Sequence, residues 1–130
     1  MINLSEMNSV INDLSDEQFE YGKCDCYIFT AKLVKAWHGK DYLSTHAVYN
    51  DKQEADAYME RFGGIEALTT GMFGYPVAST ECQDGDVVSF EMSPGEVGVG
   101  FVFGDGAFFK CKTKPVKIPL KKCRKGWRVK

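Results

Sequence analysis

Apolar residues recur at helical spacing through the first part of the chain and at strand spacing through the last. Leu4, Met7, Val10, Ile11 and Leu14 fall on one face of a helix, and Cys26, Phe29, Leu33 and Trp37 do so again before Gly39 offers a C-terminal stop. A third helix is predicted over 51–62, with Ala55, Tyr58, Met59 and Phe62 on one face and Gly63-Gly64 behind it, followed by a short helical turn over 65–68. From Gly85 the period shortens. Strands are predicted over 86–92, 97–103, 107–112, 115–120 and 127–129, and Gly104-Asp105-Gly106 is expected to supply the left-handed conformations of a tight hairpin between the second and third. Helices followed by strands, with no repeat or linker between them, predict one α+β domain over 1–130, its N-terminal helices laid on a C-terminal antiparallel sheet.

Composition changes that picture little. A chain of 130 residues with 44% hydrophobic content can bury one sizeable core. No run of eighteen apolar residues is present, so no membrane span is expected, and the polar, acidic start of the chain is unlike a signal peptide. Five cysteines, an odd number at irregular spacings, fit synthesis in a reducing cytosol.

Charge adds an asymmetry. Residues 107–130 carry ten of the sixteen Lys and Arg and no acid, against all eighteen acids in residues 1–106. Lys110, Lys112, Lys114, Lys117, Lys121, Lys122, Arg124, Lys125, Arg128 and Lys130 could form a basic face, with Lys117, Lys121, Lys122, Arg124 and Lys125 as the binding candidates. The blander account makes them the solvent side of edge strands, where lysine discourages sheet-to-sheet pairing. Val116, Ile118 and Leu120 alternate with the charges as a half-buried strand requires, which favours that account over nucleic-acid binding.

The chemistry concentrates in Phe19-Glu20-Tyr21-Gly22-Lys23-Cys24-Asp25-Cys26-Tyr27-Ile28-Phe29, which reads as a turn delivering Cys26 onto the first turn of a helix. A thiolate there would be stabilised by unpaired backbone N–H groups and the positive end of the helix dipole, and Asp25 reads as the helix cap rather than a catalytic acid. A thiol nucleophile also needs a base. The only histidines are His38 and His46, and none follows them. His38 lies twelve residues along the same helix, about 18 Å away at helical rise; His46 could approach from the following loop. Cys24 and Cys26, with Cys82, Cys111 and Cys123, lack the paired C-x₂₋₄-C spacing of a zinc or iron–sulfur site, so no metal or other cofactor is expected, and Cys111 reads as a buried small hydrophobe of the strand 107–112.

These motifs carry a resemblance. Aromatic-x-aromatic-Gly followed by Asp-Cys, then Gly-Asp-Val-Val opening a strand, then a Gly-Val-Gly strand ending in Gly-Asp-Gly, resembles the NlpC-type branch of the papain-like cell-wall hydrolases, and more closely the NlpC-like proteins encoded among the tail genes of tailed bacteriophages. The likeness runs over 19–129 and implies a papain-like α+β fold with its nucleophile at Cys26. The family's histidine falls on Gly98, or on Glu96 if the alignment slips by two residues. The third polar group would come from the next strand, where the chain offers Phe108, Phe109 and Lys110. Phe19 stands where the family often has a tyrosine, and Tyr27 where it has a serine. So altered a site implies a vestigial enzyme acting as a structural or interaction module of a phage tail, made in the host cytoplasm. Its partners would be other tail proteins, with peptidoglycan as a further contact. The competing readings are an active cysteine amidase or endopeptidase cutting peptidoglycan during DNA entry and, at a distance, a nucleic-acid-binding module.

Overall fold

The computed structural model describes residues 3–41, 49–112 and 116–129. Its elements are α1 (Leu4–Asp16), α2 (Cys26–His38), α3 (Lys52–Glu60), α4 (Ile65–Phe73), β1 (Val87–Ser93), β2 (Glu96–Phe103), β3 (Gly106–Phe109), β4 (Val116–Pro119) and β5 (Gly126–Trp127), with single 3₁₀ turns at Ser79–Glu81 and Leu120–Lys122. Local chemistry sets the helix ends. Asn3 caps α1 by accepting from the Glu6 N–H at 2.8 Å, Asp51 caps α3 in the same way, and α2 runs from the Asp25 cap to Gly39, which is left-handed at φ 76°.

The five strands form one antiparallel sheet in the order β4-β3-β2-β1-β5. Met7 and Ile11 of α1, with Phe29, Leu33 and Val34 of α2, pack on the face that carries Val87, Val99, Phe101, Phe103 and Trp127. The opposite face is buried as well. Val88, Val102, Ala107 and Phe109 meet Cys82, Val77, Leu120 and Cys123, which curl over from the edges of the sheet. A third cluster joins Tyr27 and Ile28 of α2 to Tyr49, α3 and α4. The mixed α+β class expected from the periodicity is therefore present, with both faces of β2 covered.

Three details correct the sequence reading. The helical turn expected over 65–68 is a full helix to Phe73. In the β2–β3 hairpin only Gly104 is left-handed, at φ 72°; Asp105 is not, and Gly106 already pairs with Phe103 as the first residue of β3, where a side chain would meet the Ile118 carbonyl. The strand expected over 107–112 ends at Phe109 because Lys110 turns away. Far from lying on a solvated face, Lys110 is 3% exposed, and its Nζ donates to the carbonyls of Leu14 at 3.1 Å, Ser15 at 2.8 Å and Glu17, closing the C-terminal end of α1.

Candidate functional site

Cys26 is the first residue of α2, and a constrained turn puts it there. Glu20 and Cys24 pair backbone to backbone, and Gly22 between them has φ 87°, with its Cα so close to Tyr49 that a Cβ would sit 2.1 Å from the Tyr49 carbonyl oxygen. Only glycine fits. Asp25 is buried and accepts from the Ile28 N–H at 2.9 Å, the Gly22 N–H at 3.1 Å and the Tyr49 phenol, so one carboxylate ties the turn, the helix start and the segment after α2 together. Cys24 is buried with its thiol on the Leu14 carbonyl at 3.7 Å, a structural role.

Gly98 lies across from Cys26. A Cβ at Gly98 would stand 3.5 Å from Cys26 Sγ and 3.3 Å from Met92 Cγ. Any side chain at this position would therefore meet both the thiol and Met92. Glu96, two residues earlier, is exposed at the start of β2 and accepts from Ser93 Oγ at 3.1 Å. His38 sits at the far end of α2 with its Nε2 on the Gly85 carbonyl at 2.8 Å, and His46 falls outside the described residues.

Electrostatics at Cys26 run against a thiolate. Burial, then the neighbouring Asp25 carboxylate, pushes the thiol up to about 12, and the backbone hydrogen bonds at Val99 and Tyr27 that favour the anion do not compensate. Tyr27 turns away from the site into the tyrosine cluster, where burial holds its hydroxyl protonated and no described residue hydrogen-bonds it. An open groove of about 430 Å³ is lined by Phe19, Glu20, Tyr21, Asn50, Asp51, Lys52 and Lys112, with the Phe19 and Tyr21 rings edge to face at 5.0 Å. A small, partly open space of about 20 Å³ between α2 and α4 has apolar walls and room for no more than one water.

Phe101 pairs with Phe108, Val102 with Ala107 and Phe103 with Gly106 across β2 and β3, and beyond the end of β3 the Val99 carbonyl accepts from Thr30 Oγ1 of α2 at 3.1 Å instead. Cys111 is half-buried beyond the end of β3, a correction to its reading as a buried strand residue, and burial raises its thiol above the ordinary cysteine value. Among the described residues no three His, Cys, Asp or Glu side chains gather as a metal site of those ligands needs.

The basic candidates are in part neutralised by this chain itself. Lys117 pairs with Asp105 at 2.5 Å and lies over the Phe108 ring, Arg124 pairs with Glu66 at 3.2 Å, and Arg128 with Asp86 at 2.7 Å. Lys121, Lys122 and Lys125 are exposed around the Leu120–Lys122 turn. Among the described residues no helix is long and apolar enough to cross a membrane.

Compared with known proteins, the chain belongs to the family described as a domain of unknown function, DUF6950, whose profile matches residues 4–129. No curated protein matches it.

Proposed function

We propose that this DUF6950 chain is a papain-like, NlpC-type domain without its hydrolase machinery, serving as a structural and interaction module of a bacteriophage tail. One observation carries the loss of catalysis: the position that faces the Cys26 sulfur is Gly98, where the resemblance calls for an imidazole. A glycine neither takes the thiol proton nor returns one to a leaving amine, and such general acid–base help is typically worth about 10²–10⁴ in rate. The high thiol pKa points the same way, since it leaves Cys26 protonated at neutral pH. The tail assignment comes from the resemblance of the motif run.

The two parts are tested separately. Purified protein is expected to leave peptidoglycan fragments uncut, and cleavage that disappears in Cys26→Ser would overturn the loss of catalysis in favour of the amidase reading. Particles assembled with Cys26→Ser are expected to infect normally, while particles lacking the whole chain are expected to fail in tail assembly. Finding the chain absent from assembled tails and from tail intermediates would remove the tail assignment.

A further inference from the structure

Tyr75 is the most exposed large apolar side chain among the described residues, at 92%, yet its loop is fixed at both ends. Gly74 before it closes α4, with φ 96° and its N–H on the Thr70 carbonyl at 2.8 Å. Val77 after it exchanges both backbone hydrogen bonds with Gly126 of β5, at 2.7 Å and 2.9 Å, and Pro76 between them holds Tyr75 to an extended backbone. A lone exposed ring carries little meaning. One mounted on a fixed loop is already ordered for docking, so that less conformational entropy is lost when a partner covers it.

The same loop gathers the unpaired lysines. Lys125 adjoins Gly126, the residue bridged to Val77. Ser79, four residues past Tyr75, donates its Oγ to the Leu120 carbonyl at 2.6 Å and lies 3.3 Å from that of Cys123, and so holds the turn that carries exposed Lys121 and Lys122. Arg124 and Arg128 nearby are taken by Glu66 and Asp86, and the one acid of the loop, Glu81, is drawn onto the Ala78 N–H at 3.1 Å. Three lysines thus stand against one carboxylate around the tyrosine loop.

We propose that Tyr75 and the cluster of Lys121, Lys122 and Lys125 form one docking surface for a protein partner that offers an apolar socket rimmed by carboxylates. Tyrosine suits the anchor, since it buries a large rigid area at the cost of two torsions and brings a hydroxyl for a polar group in the socket. The lysines select an acidic rim and steer the encounter. One aromatic ring with three lysines is too little for a nucleic-acid strand, which takes several stacking rings along a charged groove. The inference rests on the reading of the chain as an interaction module, whose surface and partner chemistry it names, and not on the tail assignment.

The test replaces Tyr75 of the full chain by the photo-reactive p-benzoylphenylalanine and irradiates the cells that make it. One protein adduct is expected, crosslinked through a segment rich in Asp and Glu, and its yield should fall about tenfold when Lys121, Lys122 and Lys125 are reversed to Glu. The same group in place of exposed Leu4 should not capture that protein. Against the captured protein once purified, Tyr75→Ala is expected to weaken binding about tenfold through faster dissociation, and the lysine reversal to slow association and flatten its salt dependence, with circular dichroism melts showing both variants folded. An acidic partner from outside the tail would keep this inference and remove the tail assignment. A tail protein bound equally well without Tyr75 or the lysines would keep that assignment and overturn this inference, and capture of nucleic acid, of lipid or of no protein overturns it too.

Discussion

At Cys26 two opposite influences meet, and their sizes decide its chemistry. A helix N-terminus favours an anion by a fraction of a kcal/mol to about 2 kcal/mol, but burial and the Asp25 carboxylate outweigh it and hold the thiol at about 12. Alkylation of Cys26 by iodoacetamide is therefore expected to be slower than that of a free thiol at neutral pH and to keep accelerating above pH 9. A rate plateau near neutrality would contradict the buried, protonated thiol. The converse variant is Gly98→His. An imidazolium aimed at Sγ stabilises the thiolate, so the alkylation midpoint should fall by at least one pH unit, provided that Met92 swings aside; Gly98→His with Met92→Ala should show the larger fall. An unchanged midpoint in both variants would mean that position 98 does not face the sulfur. Lys110 offers a second residue test. Lys110→Met keeps the buried stem but removes the ammonium donor from the Ser15 and Glu17 carbonyls, while the Leu14 carbonyl keeps the Glu17 N–H and the Cys24 thiol, a loss of about 1–3 kcal/mol in denaturant unfolding. Of these residues the sequence displayed Cys26, Asp25 and Gly98, because their signals are local: a cap, a helix start and a fixed distance from the hairpin. Lys110 lies past the end of β3, where no local signal marks its turn toward the end of α1. Lysine is so seldom buried that Lys110 was placed on the surface with the rest of the basic tail.

Elements were readable where their ends are made by their own residues. The caps at Asn3, Asp25 and Asp51 and the stop at Gly39 all act within a few residues. The second half of α4 was not readable, since Thr69, Thr70 and Gly71 are poor helix formers. It exists because Leu68 and Thr69 are buried, Thr69 Oγ1 returns to the Ile65 carbonyl at 2.7 Å, and Trp127 of β5 donates to Thr70 Oγ1 at 3.0 Å. Tertiary contacts override propensity there. The α2–sheet contact is the element on which the site rests, and Leu33 is wholly buried in it. Leu33→Ala is expected to cost about 2–5 kcal/mol in denaturant unfolding; a cost below about 0.5 kcal/mol would place this face outside the core. The α4–β1 contact carries a pH signature. Burial works to raise Glu66, but hydrogen bonds from Ser89 Oγ at 2.6 Å and Arg124 Nε at 3.2 Å, with the charges of Arg124 and Lys125, hold its carboxyl below the ordinary glutamate value. A folded pKa below the unfolded one gives stability that is present above the unfolded value of about 4.3 and lost as pH falls through the folded value. Glu66→Gln should thus be less stable than the parent at neutral pH, and the gap should close on acidification. A gap that stays constant down to pH 3 would show that the Glu66 charge contributes nothing.

At the scale of the whole molecule, the charge asymmetry of the sequence is partly spent inside the fold. Asp105, Glu66 and Asp86 of the body hold Lys117, Arg124 and Arg128 of the tail, and Lys110 is buried on carbonyls. The pairs at Arg124 and Arg128 help bring the last residues back against α4 and the loop before β1, so part of the asymmetry serves folding, which the linear charge count did not reveal. Among the described residues, what is left for association is Lys112 past β3 and, set together, Lys121 and Lys122 on the Leu120–Lys122 turn with Lys125 close by; Lys114 and Lys130 lie outside the described residues. A cluster this small suits an acidic protein surface better than a nucleic-acid backbone, which would call on many phosphate contacts at once. In a tail built of many chains such a cluster would steer docking, and its effect should weaken as salt shortens the screening length to about 8 Å at physiological strength. Reversing Lys121, Lys122 and Lys125 to Glu shifts the net charge by six units, three positive charges lost and three negative ones gained, at residues that make no ion pair among those described. The variant is expected to stay folded with a slightly lower melting temperature, since Lys125→Glu sets a like charge near Glu66, to lose incorporation into the native assembly, and to match the parent in showing no DNA binding at moderate salt. Normal incorporation would take the cluster out of the interface, and parental DNA binding abolished by the reversal would move the basic end to nucleic acid.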